Sequence, residues 1–176
     1  MNMPELSFRV AACAILALFS PWSPAQTCVA GVQASNPSSV YVIDSVNGNV
    51  TDSRSGLMWD RCALGQSGVS FATGAASTFT RQAALDAVAS LGSYKGFSDW
   101  RLPNVRELRS LVEECRINPA INEYAFPNTP PTSFFWSGSP WAQDVTGAWY
   151  VYFDTDVVNV SGRSFAYPVR LVRAGQ

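Results

Sequence analysis

Asp99-Trp100-Arg101-Leu102-Pro103-Asn104-Val105-Arg106-Glu107-Leu108 is the stretch on which the fold turns. Proline biases the residue before it toward extended backbone, so Leu102 should still be strand-like. Asn104 then stands as an N-cap with Glu107 three positions on, the pattern of a capping box. Val105, Leu108, Leu111, Val112 and Cys115 recur at helical spacing and predict a helix over 105–115. Arg106, Arg109 and Glu113 face away from that stripe, and Glu107 and Glu114 balance the arginines, so this reads as a solvated face. Upstream, Thr80 is a good N-cap. Ala84, Leu85, Val88 and Leu91 form a second stripe that Gly92 ends, which predicts a helix over 81–91. Strand-like runs flank this pair on both sides. Residues 40–43, 49–52 and 57–59 precede it, and 134–137, 148–153, 157–160 and 169–172 follow it. Strands, then two helices, then strands, with no βαβ alternation, predict an α+β fold. Its twisted, mainly antiparallel sheet would be packed with two helices and carry long loops at 65–79 and 117–133.

Composition agrees with a packed domain. Of 176 residues, 47% are apolar and 14% charged, the opposite of the balance that keeps a chain disordered. A formal net charge of -1 argues against nucleic acid as a partner. There is no histidine, which removes Ser-His-Asp and Cys-His catalysis and the commonest transition-metal ligand. No Cys-x-x-Cys pair offers a zinc site, so no metal centre is expected from cysteines.

Residues 1–25 read as a signal peptide: Arg9, then the apolar run Val10 to Phe19, then a proline-containing stretch with Ser23 and Ala25 placed for cleavage before Gln26. That run falls short of the ~20 residues a membrane span needs, so no transmembrane helix should remain after cleavage. Residues 26–44 read as an extended leader and 45–174 as the domain. Export to the periplasm or beyond would place Cys28, Cys62 and Cys115 in an oxidising compartment, where one pair can close and one thiol is left over. Cys62 follows a strand and Cys115 lies on a helical apolar stripe, so Cys62–Cys115 is the expected disulfide. It would be worth ~4 kcal/mol by loop closure. Cys28–Cys115 is the alternative.

Several short motifs occur in one order: Gly56-Leu57-Met58-Trp59, Asp99-Trp100-Arg101-Leu102-Pro103 with Glu107-Leu108, Asn118-Pro119-Ala120-Ile121, Phe126-Pro127, Phe135-Trp136-Ser137, Ala148-Trp149 and Val169-Arg170-Leu171-Val172-Arg173. In that order they resemble the Lcl C-terminal domain family, a domain-of-unknown-function family whose best-known relative is part of a collagen-like bacterial adhesin. The resemblance covers roughly residues 45–173. It implies kinship with C-type-lectin-like and formylglycine-generating-enzyme-like folds and an association with polysaccharide adhesion. This chain differs in lacking collagen-like repeats and a basic excess. Formylglycine-generating chemistry uses late cysteines, and none lies after Cys115.

The candidate sites follow from residue chemistry. Asp99 and Arg101 are expected to satisfy each other at the helix entrance, with Trp100 in the core and Asn104 and Glu107 holding the helix start. Alternation places Trp149, Val151 and Phe153 on one strand face and Tyr150 and Tyr152 on the other. Trp141, Tyr150 and Tyr152 are therefore candidates to stack on a sugar, although core or loop packing competes for Trp141. Asp154, Asp156 and Asn159 offer the oxygen ligands that Ca²⁺ takes, at a spacing that matches no EF-hand loop, so calcium is the one cofactor worth testing. The function expected is an exported, non-enzymatic binding module for a polysaccharide or a cell-envelope protein. A structural or assembly role is the alternative, and a hydrolase using Asp99, Asp154 or Asp156 is a third.

Overall fold

The computed structural model describes residues 27–67, 74–131 and 134–175. The expected signal segment, 1–25, and part of the 65–79 loop lie outside the described residues. Seven strands and two α-helices follow in chain order: β1 (Tyr41–Asp44), β2 (Asn49–Asp52), β3 (Leu57–Asp60), α1 (Arg81–Ala89), α2 (Val105–Arg109), β4 (Phe134–Pro140), β5 (Gly147–Tyr152), β6 (Val157–Gly162) and β7 (Val172–Ala174). The α+β expectation holds. The strands form two antiparallel sheets rather than the single one expected, in the orders β1-β2-β3-β7 and β4-β5-β6.

Local chemistry explains the first sheet. The β2–β3 turn closes where Gly56 adopts a φ of +69° and its N–H bonds the Asp52 carbonyl at 2.8 Å. Alternation then sends Val50 and Trp59, directly opposed, into the core, where neither has any exposed surface. The last strand returns across the whole chain to lie beside β3, pairing Val172 with Trp59.

The second sheet is covered on both sides. Phe135, Val151 and Phe153 join Trp59, Leu108, Leu111, Ile121 and Phe126 in the main core. Trp136 and Ala148 meet Ala84 of α1, with Leu102 and Val169, in a smaller one. Both helix starts form as expected. Thr80 Oγ1 accepts from Ala83 N, and Asn104 and Glu107 make the full capping box. Both helices are shorter than the apolar stripes suggest. After Arg109, Ser110 donates its hydroxyl to the Glu107 carbonyl, and Val112 bridges to Ile121. Leu111 and Cys115 are fully buried without being helical, which periodicity alone cannot reveal.

The disulfide corrects the expected pairing. Cys28 is bonded to Cys115, 87 residues away, and Cys62 is a free, buried thiol. The leader is the reason, because it is strapped down rather than loose. The fully buried carboxylate of Glu113 accepts from Ser35 N at 2.8 Å, Ser35 Oγ at 3.0 Å and Asn36 N at 2.9 Å. Asn36 returns its side-chain amide to the Ser110 and Val112 carbonyls, and Val29 N bonds Cys115 O at 2.7 Å. Cys62 instead ends β3 beside Asp60, and burial raises its thiol pKa. A disulfide that closes so long a loop stabilises by roughly 4–5 kcal/mol in the chain-entropy view, and it is characteristic of an oxidising compartment.

Arg170 organises the space between the two sheets. It is completely buried, donates to the Asp60 and Arg61 carbonyls at 3.0 and 2.5 Å, and bonds Thr129 Oγ1 at 2.9 Å. Its guanidinium also lies 4.8 Å from the Phe126 ring centre and 5.7 Å from that of Phe135. Burial pushes its pKa down to about 10, against the pull of nearby Asp60.

Candidate functional site

The β4–β5–β6 sheet carries the most distinctive surface. Strand register opposes Phe134 to Tyr152 and Trp136 to Tyr150, and Tyr150 and Tyr152 in turn oppose Asn159 and Val157 of β6. Directly opposed residues share a face, so all six project to the same side. Helix α1 and the returning chain seal the Trp136 end. Toward the other end Phe134, Tyr150 and Tyr152 stay partly exposed, and Tyr167 joins them from the loop before β7. Phe134 lies 5.0, 4.5 and 5.2 Å, centre to centre, from Tyr150, Tyr152 and Tyr167. Phe165 is 57% exposed and stacks on Tyr167 with their planes 8° apart. These rings make a semi-exposed aromatic shelf whose neighbours hold each ring in place. Tyr167 exchanges a hydrogen bond with Ser161, and the Tyr152 hydroxyl donates to Asp154 at 3.0 Å. Burial and the Asp154 carboxylate both raise the Tyr152 pKa, so the hydroxyl remains a donor.

Next to the Asp154 turn lies a polar cleft of about 760 Å³, between the leader, the β2–β3 turn and α2. Arg54, Arg106 and Arg109 line it together with Asp52, Glu114 and Asp156. A smaller hollow of about 450 Å³ shares Glu114 and Asp156 with it. Arg54 is held by Asp52 and by the Ser35 carbonyl. Asp156 sits at a φ of +54° with Arg109 Nε 3.9 Å from its carboxylate. Burial raises the Asp156 pKa, Arg109 opposes that shift, and Glu114 adds to it. With both signs of charge interleaved, the cleft suits a neutral, hydroxyl-rich ligand better than a polyanion.

The expected site residues fall into separate groups. Tyr150 and Tyr152 sit on the shelf as alternation required, with Asn159 at its edge. Trp141 does not join them. Its ring lies over Gly147, where even a Cβ would come within 2.6 Å, so it packs the β4–β5 hairpin in place. Trp149 is only half-buried, unlike Val151 and Phe153 on its face. Asp154 and Asp156 line the smaller hollow, while Asn159 accepts from Val160 N on β6. Among the described residues, no three acidic or cysteine side chains gather as a metal site.

The helix-entrance cluster is built differently from expectation. Asp99 pairs with Arg173 at 2.6 Å, and Arg101 grips Glu107 through two 2.8 Å bonds. Each partner lowers the carboxyl pKa, chiefly through its hydrogen bond. Trp100 is 6% exposed and donates to the Tyr94 carbonyl, as befits a core residue. Sequence reading missed Phe134, Phe165 and Tyr167. The Phe-Ala-Tyr alternation at 165–167 was the available signal.

These elements of sequence and fold have a family. A model of the Lcl C-terminal domain matches residues 48–173. The chain belongs to the Lcl C-terminal domain family. No curated protein matches it significantly. The Lcl C-terminal match spans β2 through most of β7, and so includes the shelf and the strands that carry it. The strap and β1 precede the matched span. Among the described residues of this Lcl C-terminal domain protein, no helix is long and apolar enough to cross a membrane.

Proposed function

We propose that this protein is an exported, non-enzymatic binding module that holds a carbohydrate on the aromatic shelf. The observation that carries the reading is the arrangement of Phe134, Tyr152 and Tyr167, packed ring on ring at tilted angles and beside the exposed Phe165. Rigid rings offer a large apolar face at low entropic cost, and a pyranose presents a matching apolar side. The hydroxyls of Tyr152 and Tyr167 and the carboxylate of Asp154 would then meet the sugar's polar rim. Membership of an adhesin-related family supports the reading, and the disulfide supports an oxidising destination such as the periplasm or cell surface. A lectin-like ancestry of the fold belongs to the same reading and rests on the resemblance of motifs. Binding is proposed to need no cofactor.

The leftover cysteine lends the assembly alternative no support. Cys62 has no exposed surface, so it is not positioned to cross-link a partner.

A glycan array probed with and without calcium tests the proposal, followed by titration of any hit against Phe165→Ser and Tyr152→Phe. Phe165→Ser should weaken binding about tenfold, equivalent to roughly 1.4 kcal/mol, and Tyr152→Phe by less. A blank array, or a hit untouched by Phe165→Ser, overturns the shelf as a sugar site.

A further inference from the structure

Away from the shelf, α1 begins in an electrostatically unbalanced corner. Arg81, its first residue, is 6% exposed and donates one bond, from Nη2 to the Gly138 carbonyl at 2.6 Å. Its Nε and Nη1 are buried with no hydrogen-bond partner. The charge that bears on it is another cation. Burial lowers the Arg81 pKa, and Arg163 lowers it further. Arg163 is tied in place by its own backbone and by Nε, which donates to the Gly147 carbonyl at 2.9 Å, while Arg81 N bonds the Arg163 carbonyl at 3.0 Å. Both arginines line a cleft of about 410 Å³ with Gln82, Leu85, Gly138 and Pro140, and no carboxylate lines it. The carboxylate that senses Arg163 is Asp144. It is exposed and already accepts from Thr146 N at 2.8 Å.

A desolvated guanidinium with two idle donors and a like-charged neighbour is costly unless an anion completes it. The N-terminus of the nine-residue helix α1 adds positive potential at the same place. The remaining walls choose among anions. Leu85 is 39% exposed on a helix that packs Ala84 and Val88 inward, and Pro140 stands with it in the lining. An inorganic ion would leave that apolar surface wet. We propose that this cleft is a binding site for a small organic carboxylate, whose charge faces Arg81 and Arg163 and whose apolar body covers Leu85 and Pro140. A guanidinium N–H makes a charge-assisted hydrogen bond to a carboxylate, and Arg81 Nε and Nη1 both lack a partner. The proposal does not depend on the shelf holding a sugar.

N-acetyl-L-leucine and its uncharged twin N-acetyl-L-leucinamide are the probes, titrated into ¹⁵N-labelled protein. The acid should give a saturable shift of the Arg81 and Arg163 Nε–H signals, and the amide should not. Arg163→Gln should weaken the acid about tenfold, while Arg163→Lys should retain part of the binding because it retains the charge. Amide dispersion in the spectra confirms that each variant is folded. Absence of a saturable shift overturns the site, as does an equal response to the amide. Saturation by inorganic phosphate with no response to N-acetyl-L-leucine overturns the assignment to organic carboxylates.

Discussion

Arg170 and Arg81 are both withdrawn from water, and their surroundings could hardly differ more. Arg170 bonds two carbonyls and a hydroxyl, leaves Nε without a hydrogen-bond partner, is flanked by two phenylalanine rings and lies near Asp60. Arg81 has one carbonyl, two idle nitrogens and the like charge of a second arginine. Both charges carry a desolvation cost. Protein groups offset most of that cost around Arg170, and much less of it around Arg81. The Arg170 centre and the disulfide-tied leader are therefore architecture. The corner at α1 is left with more unmet donors.

Removing Arg170 should hurt most. Arg170→Met leaves the Asp60 and Arg61 carbonyls and the Thr129 hydroxyl short of a donor in the core, which predicts a loss of about 3–5 kcal/mol in urea unfolding. A loss under about 1 kcal/mol would erase the contrast. Next is the strap. Cys28→Ser should cost about 2–4 kcal/mol and expose the amides of Ser35 and Asn36 to hydrogen exchange, whereas Cys62→Ala should leave the Cys28–Cys115 peptide intact in a non-reduced digest.

Glu107 gives a smaller, pH-dependent scale. Arg101 holds its carboxyl below the ordinary 4.5, so folding gains stability above that pH and loses it as the pH falls through the lower, folded-state value. Arg101 is partly in solvent, which screens the pair, so Glu107→Gln should cost only about 1 kcal/mol at neutral pH. The difference from wild type should vanish in acid. Arg81→Met should change stability least, by under about 1 kcal/mol, because it removes an uncompensated charge along with its single bond. A cost matching that of Arg170→Met would show that Arg81 is as structural as its counterpart.

What could be read from the sequence was what is local. The Asn104–Glu107 capping box, the Thr80 cap and the shared face of Tyr150 and Tyr152 each depend on residues within a few positions, and all are found as expected. Partner choice was not legible. Cys115 offered the same apolar context to Cys28 and Cys62, and only Glu113 reaching back to Ser35 and Asn36 decides between them. Leu111, Val112 and Cys115 keep helical spacing because they are buried, not because they are helical. Asp99 and Arg101 stand two apart in sequence yet each finds a different partner, since Arg173 arrives from the far end of the chain. The shelf was half visible: alternation placed its tyrosines, but Phe134, Phe165 and Tyr167 joined them through tertiary structure.

The pairing of β3 with β7 carries a consequence for how the chain comes into being. Trp59 is made early, while the strand that completes its sheet, and the arginine that fills the space beneath, lie at 170–174. A chain growing from its amino end at roughly 5–20 residues per second leaves β3 with an open edge until residues 172–174 have been added. Contacts so distant in sequence also form slowly. Until then the first three strands are a meander exposed to stray partners, so this protein should depend on being shielded during synthesis.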